Sequence, residues 1–110
     1  MQIETVRNET HTVARLTGQF NMEASESAER ILLDEFQKTP LLILDFAGVP
    51  FLSSSGMRVI LKLAKEATAR EKGFVICGMN PDVTTAMKLT GFLTDIHVAK
   101  GLKTAEMLYV

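Results

Sequence analysis

The chain has 110 residues, 46% of them apolar and 23% charged, and its 12 basic and 13 acidic side chains give a formal net charge of -1. This length is typical of one domain with its own hydrophobic core, so we expect a single domain over residues 1–110. The nearly balanced charge provides no general attraction to nucleic acid or to anionic lipid.

Two features predict the cellular compartment. The single cysteine, Cys77, cannot form an intramolecular disulfide, and its position in the apolar run FVICG predicts a buried structural thiol. The opening residues MQIETVRNET lack the charged and apolar regions of a secretory signal, and no apolar run approaches the about 20 residues of a membrane-spanning helix. We therefore expect a cytoplasmic protein that does not insert into a membrane.

The first forty residues predict a hairpin and a helix. Alternating apolar and polar residues at 2–7 and 11–17 flank a short polar segment, which predicts a β-hairpin. The turn GQFN follows, with Gly18 at its start and Asn21 as the N-cap of a helix. From Met22 to about Lys38, apolar residues recur at three- and four-residue spacing, and Pro40 follows the end of this helix. The predicted buried face consists of Ala24, Ala28, Ile31, Leu32 and Phe36.

The centre of the chain predicts a buried strand followed by a long helix. LLILDF, residues 41–46, is short and continuously apolar before its aspartate, which is typical of a central strand. From Ser54 to Lys72, an apolar stripe predicts a helix that packs on the core. The stripe consists of Met57, Ile60, Leu61, Ala64 and Ala67. On its flank, Val59 and Leu63 either widen the core contact or form an apolar docking margin, and we assign them to a partner surface.

The remaining residues alternate strand and helix. FVICG, residues 74–78, predicts another buried strand, and Asn80 followed by Pro81 begins a helix that Gly91 ends. DIHV, residues 95–98, predicts a fifth strand, and residues 102–109 a final helix. This order predicts an α/β domain with a mixed, mostly parallel sheet, an N-terminal edge hairpin and about four helices.

The densest group of hydroxyls lies in AGVPFLSSSG, residues 47–56, between the central strand and the long helix. In α/β sheets, ligands and partners bind at the loops that follow the carboxyl ends of the strands. Ser53 to Ser55 therefore occupy an exposed helix N-terminus, where one serine acts as the N-cap and the helix dipole tolerates an added phosphate. On spacing alone, capping and loop solubility explain these serines better than regulation does.

The segment LLILDFAGVPFLSSSGMRVIL resembles the strand-loop-helix signature of the STAS domain, in particular that of bacterial anti-sigma-factor antagonists. Phe51 and Leu52 match the apolar pair of the motif, Ser54 and Ser55 its two serines, and Gly56 its glycine. LTGQFN and GMNPDVTTAMKLTGF also resemble the family. The resemblance covers nearly the whole chain and implies a STAS fold.

The resemblance implies a partner switch controlled by phosphorylation. By position, it implies that Ser55 is the serine that is phosphorylated and that Ser54 is the second candidate. Ser53 replaces the acidic residue that commonly precedes the serine pair in the family. The implied partners are an anti-sigma factor with ATP-dependent serine kinase activity, which the unphosphorylated domain binds to release a sigma factor, and a serine phosphatase. The residues assigned to partner binding are Gly18, Asn21, Ser53, Ser54, Gly56, Met57, Val59 and Leu63.

Three alternatives remain open at this point. One is a STAS scaffold or a transporter-associated subunit that uses its serines only as a cap. The second is a receiver domain with Asp45 as phosphoacceptor and Lys100 after the last strand, but this sequence does not contain the acidic pair with which receivers bind magnesium. The third is an enzyme, but the sequence contains no nucleophile elbow and no phosphate loop, and His11 and His97 do not have metal-ligand spacing. We therefore expect no catalytic residue, metal or cofactor.

Overall fold

The structure is a computed structural model that describes residues 1–91 and 96–110. In these ranges, strands and helices follow one another in the predicted order and with the predicted types. The strands are β1 (Gln2–Arg7), β2 (Thr12–Thr17), β3 (Leu41–Gly48), β4 (Gly73–Cys77) and β5 (His97–Ala99). The helices are α1 (Met22–Glu35), α2 (Ser54–Ala69), α3 (Pro81–Thr90) and α4 (Leu102–Tyr109).

The strands form one sheet in the order β1-β2-β3-β4-β5. β1 pairs with β2 in antiparallel orientation, and the other neighbouring strands are parallel. The expected mixed, mostly parallel sheet with an N-terminal edge hairpin is therefore confirmed. β3 lies at the centre, and its first six residues are buried, because helices cover both faces of the sheet at this strand.

Two apolar clusters lie on opposite faces of the sheet. The larger cluster joins the sheet to α1, α2 and α3, and it includes Leu44, Leu32, Ile60 and Met87. The smaller cluster joins the other face to α4 through Ala105. The three helices of the larger cluster thus share one face, and among the described helices α4 is the one that covers part of the other. None of the helices in the described ranges has the length and hydrophobicity to cross a bilayer.

Several element ends differ from the predicted ones. α1 ends at Glu35, three residues before Lys38, because the chain continues in tight turns. α2 ends at Ala69 instead of Lys72, because Glu71 adopts a left-handed φ of 56° that no α-helix continues. The predicted N-cap Asn80 and the left-handed Gly91 at the end of α3 are confirmed. Asp95, the first residue of the predicted fifth strand, lies outside the described residues. So does Phe92, the last residue of the segment GMNPDVTTAMKLTGF that resembles the family.

The buried face of α2 is rotated relative to the predicted one. Met57, Leu61 and Ala64 are partly exposed, whereas Val59 and Leu63 are 4% and 0% exposed. The assignment of Val59 and Leu63 to a partner surface is therefore wrong, and their other interpretation, a wider core contact, holds. Apolar residues occupy a broad arc of this helix, so their spacing alone does not tell which of them point at the sheet. For the same reason Ile31 of α1 was predicted buried and is 39% exposed.

Cys77, at the end of β4, is fully buried, as expected. Burial raises the pKa of its thiol from 9.0 to about 12, with further contributions from the negative charges of Asp45 and Glu106. Because the thiolate is the reacting form, such a shift slows modification at neutral pH about a thousandfold. We expect a disulfide reagent to label the native protein far more slowly than the denatured chain at pH 8. Equal rates would contradict the buried position.

Candidate functional site

The serine loop lies at the carboxyl edge of the parallel strands and leads into α2. Ser53 is the N-cap, with extended backbone angles, and its Oγ accepts a hydrogen bond from the N–H of Gly56 at 3.0 Å. The prediction that one of the serines caps this helix is therefore confirmed, and Ser53 is the one; Ser54 and Ser55 are not needed for the cap. The first turn of α2 contains no acidic residue, so it has a partial positive charge from its backbone N–H groups without a carboxylate to offset it.

A second loop lies directly beside the first one. The N–H of Phe20 donates to the carbonyl of Phe51, and the N–H of Ser53 donates to the carbonyl of Phe20, both at 2.9 Å. These bonds join the turn between β2 and α1 to the serine loop as in a short parallel ladder. Asn21 Oδ1 accepts from the N–H of Ala24 at 3.0 Å, which confirms Asn21 as the N-cap of α1. The structure thus brings Gly18 and Asn21 to the same edge as the serines.

The serines differ in exposure. Ser54 is exposed, and Ser53 and Ser55 are half-buried. Met57, one turn into the helix, is also half-buried. A partner or a modifying enzyme therefore has access to the hydroxyls of the first turn, while the cap serine is already engaged with its own helix.

Gly56 is buried and serves as a packing position, not as a partner contact. A Cβ at this residue would lie 2.7 Å from Leu52 Cδ1, 2.8 Å from Phe20 Cδ1 and 3.0 Å from the carbonyl oxygen of Phe20. Glycine therefore allows the first turn of α2 to approach the neighbouring loop closely.

We expect Gly56→Ala to destabilise the domain by about 1–3 kcal/mol, because the added methyl group overpacks the junction of the two loops. Urea unfolding measures the change. Gly101→Ala is a matched control, since a Cβ there meets no atom within 4 Å. Equal stability of the two variants would contradict this close packing.

Two large apolar side chains are exposed in the two joined loops, one before the serines and one after Asn21, and neither was among the residues assigned to partner binding. Phe51 is 49% exposed and Met22, the first residue of α1, is 74% exposed. Beside Phe51, a shallow groove of about 200 Å³ separates the loop from α3, and its walls include Val83 and Ala86. Phe51 matched the apolar pair of the motif, but only the fold shows that Leu52 points inward and Phe51 outward. Exposed apolar groups around a helix N-terminus are suited to contact with another protein.

Asp45 plays a structural role at the end of the central strand. Its Oδ1 accepts from the N–H of Ala47 at 3.0 Å, and its Oδ2 lies 3.5 Å from Arg15 Nε. The residue is 6% exposed, which is unfavourable for phosphoryl transfer to its carboxylate. Asp45 is therefore a strand-end carboxylate bonded to its own loop. Over residues 1–91 and 96–110, no three His, Cys, Asp or Glu side chains are grouped as metal ligands.

The fold and this edge of the sheet define the class of protein. The model of the STAS domain matches residues 2–105, and the chain belongs to the STAS domain family. Within this family it is a member of the anti-sigma factor antagonists. The chain is 30% identical over 98 residues to BtrV of Bordetella bronchiseptica, which is named as an anti-sigma factor antagonist. The match covers 88% of this chain and 84% of that protein.

Solved structures share the fold. An anti-sigma factor antagonist from Mycobacterium paratuberculosis superposes with a TM-score of 0.85 at 20% identity, over 96% of this chain and 91% of the other. The antagonist SpoIIAA is similar in its unphosphorylated form, with a TM-score of 0.74 at 21% identity over 96% and 93% of the two chains. The phosphorylated form of SpoIIAA superposes with a TM-score of 0.75 at 18% identity, over 97% of this chain and 99% of the other. The resemblance found in the sequence, and the STAS fold it implied, are therefore confirmed.

Proposed function

We propose that this chain, as one STAS domain over residues 1–110, is a cytoplasmic anti-sigma-factor antagonist that acts by binding and is switched off by phosphorylation of Ser55. The observation that carries the proposal is the accessible serine pair, Ser54 and Ser55, in the first turn of α2, where two joined loops also expose the apolar side chains of Phe51 and Met22. A chain of the antagonist family with such an edge has a surface for a protein partner and a position for a regulatory charge on that surface.

The binding surface combines apolar and charged groups. We define the switch surface as Met22, Phe51, Ser54, Ser55 and Met57. Methionine side chains adapt to irregular partner surfaces, and an exposed aromatic ring gives a large contact area at low entropic cost. The charges at its margin are mixed, with Glu23 in the first turn of α1, Arg58 on α2 and Asp82 in the first turn of α3. This mixture favours a protein partner over nucleic acid.

Phosphorylation at Ser55 has opposite effects on the free and bound states. In the free domain, the N–H groups of the first turn of α2 favour a negative charge. In the complex, a phosphate with about -1.5 to -2 charges at the interface loses its water, and binding becomes unfavourable unless the partner supplies a counter-charge. The same group thus leaves the fold intact and prevents the contact.

The replacement of the usual acidic residue by Ser53 is compatible with this switch. Ser53 caps α2 as an aspartate does, since the two residues are comparable N-caps. It also removes a negative charge next to the phosphate, while Arg58 follows Ser55 by three residues on the same helix. A phosphate on Ser55 therefore meets less repulsion here than beside a carboxylate.

The proposed partners are an anti-sigma factor that is also an ATP-dependent serine kinase, and a serine phosphatase that restores the hydroxyl. The unphosphorylated domain binds the anti-sigma factor, which releases a sigma factor. The domain itself contributes binding surface and a phosphoacceptor, without catalysis.

Phosphate mapping tests the assignment. The wild-type protein is incubated with ATP and a lysate of its own organism, and its peptides are analysed by mass spectrometry. We expect one phosphate, on Ser55, which Ser55→Ala abolishes and Ser54→Ala retains. A phosphate on Ser54 or on another residue would reassign the site, and no phosphate would favour a scaffold whose serines serve only as a cap.

A further inference from the structure

The groove between the serine loop and α3 adjoins the switch surface. Leu52 and Val83, which are buried, form its floor, and the partly exposed Phe51 and Ala86 stand at its sides. Because Phe51 also belongs to the switch surface, the groove extends that surface from α2 toward α3. We call it the α3 groove and define it by its lining residues, which are Pro50, Phe51, Leu52, Asp82, Val83 and Ala86.

An asparagine joins the two sides of the α3 groove. Asn80 Oδ1 accepts from the N–H of Val83 at 2.7 Å, as the N-cap of α3. Its Nδ2 donates to the carbonyl oxygens of Val49 and Pro50, each at 3.4 Å, in the loop that leads to Phe51. The groove therefore exists before a partner binds, and a ligand that fills it does not have to order the loop.

The size and the lining of the α3 groove fit a single apolar side chain. Its volume is about 200 Å³, and an apolar cavity of about 150 Å³ is large enough for one benzene molecule. The side chains of Leu52, Val83 and Ala86 and the ring of Phe51 give it an apolar surface, which is favourable to remove from water. One large aliphatic or aromatic side chain of another protein therefore matches this groove.

The rim of the α3 groove has a carboxylate. Asp82 lies in the first turn of α3 and is exposed. In the part of the chain that the structure describes, none of the ion pairs includes this carboxylate. The basic residue of α3, Lys88, lies in the last turn of the helix. A lysine or arginine of a partner therefore meets a complementary charge next to the apolar groove.

We propose that the α3 groove is a specificity site that receives one large apolar side chain of the anti-sigma factor, beside a lysine or arginine of that protein that pairs with Asp82. This inference rests on the proposed function and adds to it the chemistry of the partner surface. The charge at Ser55 determines whether the complex forms, and the α3 groove determines which anti-sigma factor binds. A partner with an acidic residue at that place is rejected, because its carboxylate would face Asp82.

Titration calorimetry tests the groove, with the purified anti-sigma factor that Ser55→Ala retains and Ser55→Asp does not. Ala86→Leu fills the groove with a side chain of the domain itself and should weaken binding about tenfold, as for loss of one well-packed anchor. Thr85→Leu adds a side chain of the same size on the exposed side of α3 and should bind as the wild type does. Urea unfolding of both variants verifies that the fold is retained. Equal affinities of Ala86→Leu and the wild-type protein would overturn the proposal.

The carboxylate at the rim provides a second measurement that leaves the packing unchanged. Asp82→Asn should weaken binding about threefold at low salt and make the affinity less dependent on salt concentration. Glu71→Gln removes an exposed carboxylate just before β4, at the opposite edge of the sheet, and should keep the wild-type salt dependence. An unchanged salt dependence of Asp82→Asn would contradict the ion pair.

The outcomes separate the groove from the switch. If Ser55→Asp loses the anti-sigma factor while the variants at Ala86 and Asp82 bind it as the wild type does, the switch holds and the inference about the groove is wrong. If Ser55→Ala retains no anti-sigma factor, the proposed function itself fails, and the occupant inferred for the groove is wrong with it.

Discussion

The variant Ser55→Asp should bind the anti-sigma partner about tenfold more weakly than the wild-type domain, and phosphorylation of Ser55 should weaken binding about a hundredfold. The first turn of α2 meets the partner through an accessible hydroxyl, and a charge there must lose its hydration when the complex forms. Aspartate has one charge and phosphate nearly two, so the variant reproduces part of the effect. Titration calorimetry with the purified partner measures both affinities.

Two controls separate a local effect of charge from a general one. Ser55→Ala keeps the surface neutral and should bind within about threefold of wild type, because it removes one rim hydroxyl. Ser27→Asp adds the same charge to an exposed position in the second turn of α1 and should leave the affinity unchanged. If Ser27→Asp weakened binding as much as Ser55→Asp, net charge would explain the loss.

The substitution Val59→Asp should largely unfold the domain. Val59 is 4% exposed within the larger core cluster. The change removes apolar burial and introduces a carboxylate without a partner, at a cost of several kcal/mol. Since small domains are stable by only about 5–15 kcal/mol, little net stability remains. Thermal unfolding followed by circular dichroism measures the loss.

Companion variants make this result specific. Leu63→Ala leaves a cavity in the same cluster and should cost about 2–5 kcal/mol while the domain still folds. Lys65→Asp places the same carboxylate on the exposed face of α2 and should cost less than about 1 kcal/mol. A stable Val59→Asp protein with reduced partner affinity would instead support a surface position for this residue, as the sequence first suggested.

The order of elements was predictable because each one has a strong local signal. The continuous apolar run at 41–46 and the N-caps Asn21 and Asn80 correspond to structure formed by neighbouring residues. Helix ends were less predictable, as in α2, where Glu71 adopts a left-handed conformation although glycine follows two residues later. No local rule requires that conformation at a glutamate, and it depends on how the chain enters β4.

The site was predictable in part. The serine motif and its resemblance to the STAS family identified the helix N-terminus, and the cap bond of Ser53 agrees with it. The roles of Phe51 and Val59 were not predictable, because the type of an apolar residue does not indicate whether its side chain faces the core or a partner. The bonds of Phe20 to Phe51 and Ser53 hold the loop so that Leu52 faces inward and Phe51 outward, and these contacts depend on the whole sheet.

Partner capture with Ser55→Ala and Ser55→Asp as matched baits tests the phosphoswitch most directly. Each bait is incubated with a lysate of the native organism in the presence of ATP or ADP, and retained proteins are identified by mass spectrometry. We predict that Ser55→Ala retains an ATP-binding anti-sigma factor with serine kinase activity and that Ser55→Asp does not. Retention of the same proteins by both baits would contradict the switch and leave Ser55 as part of a helix start in a constitutive scaffold.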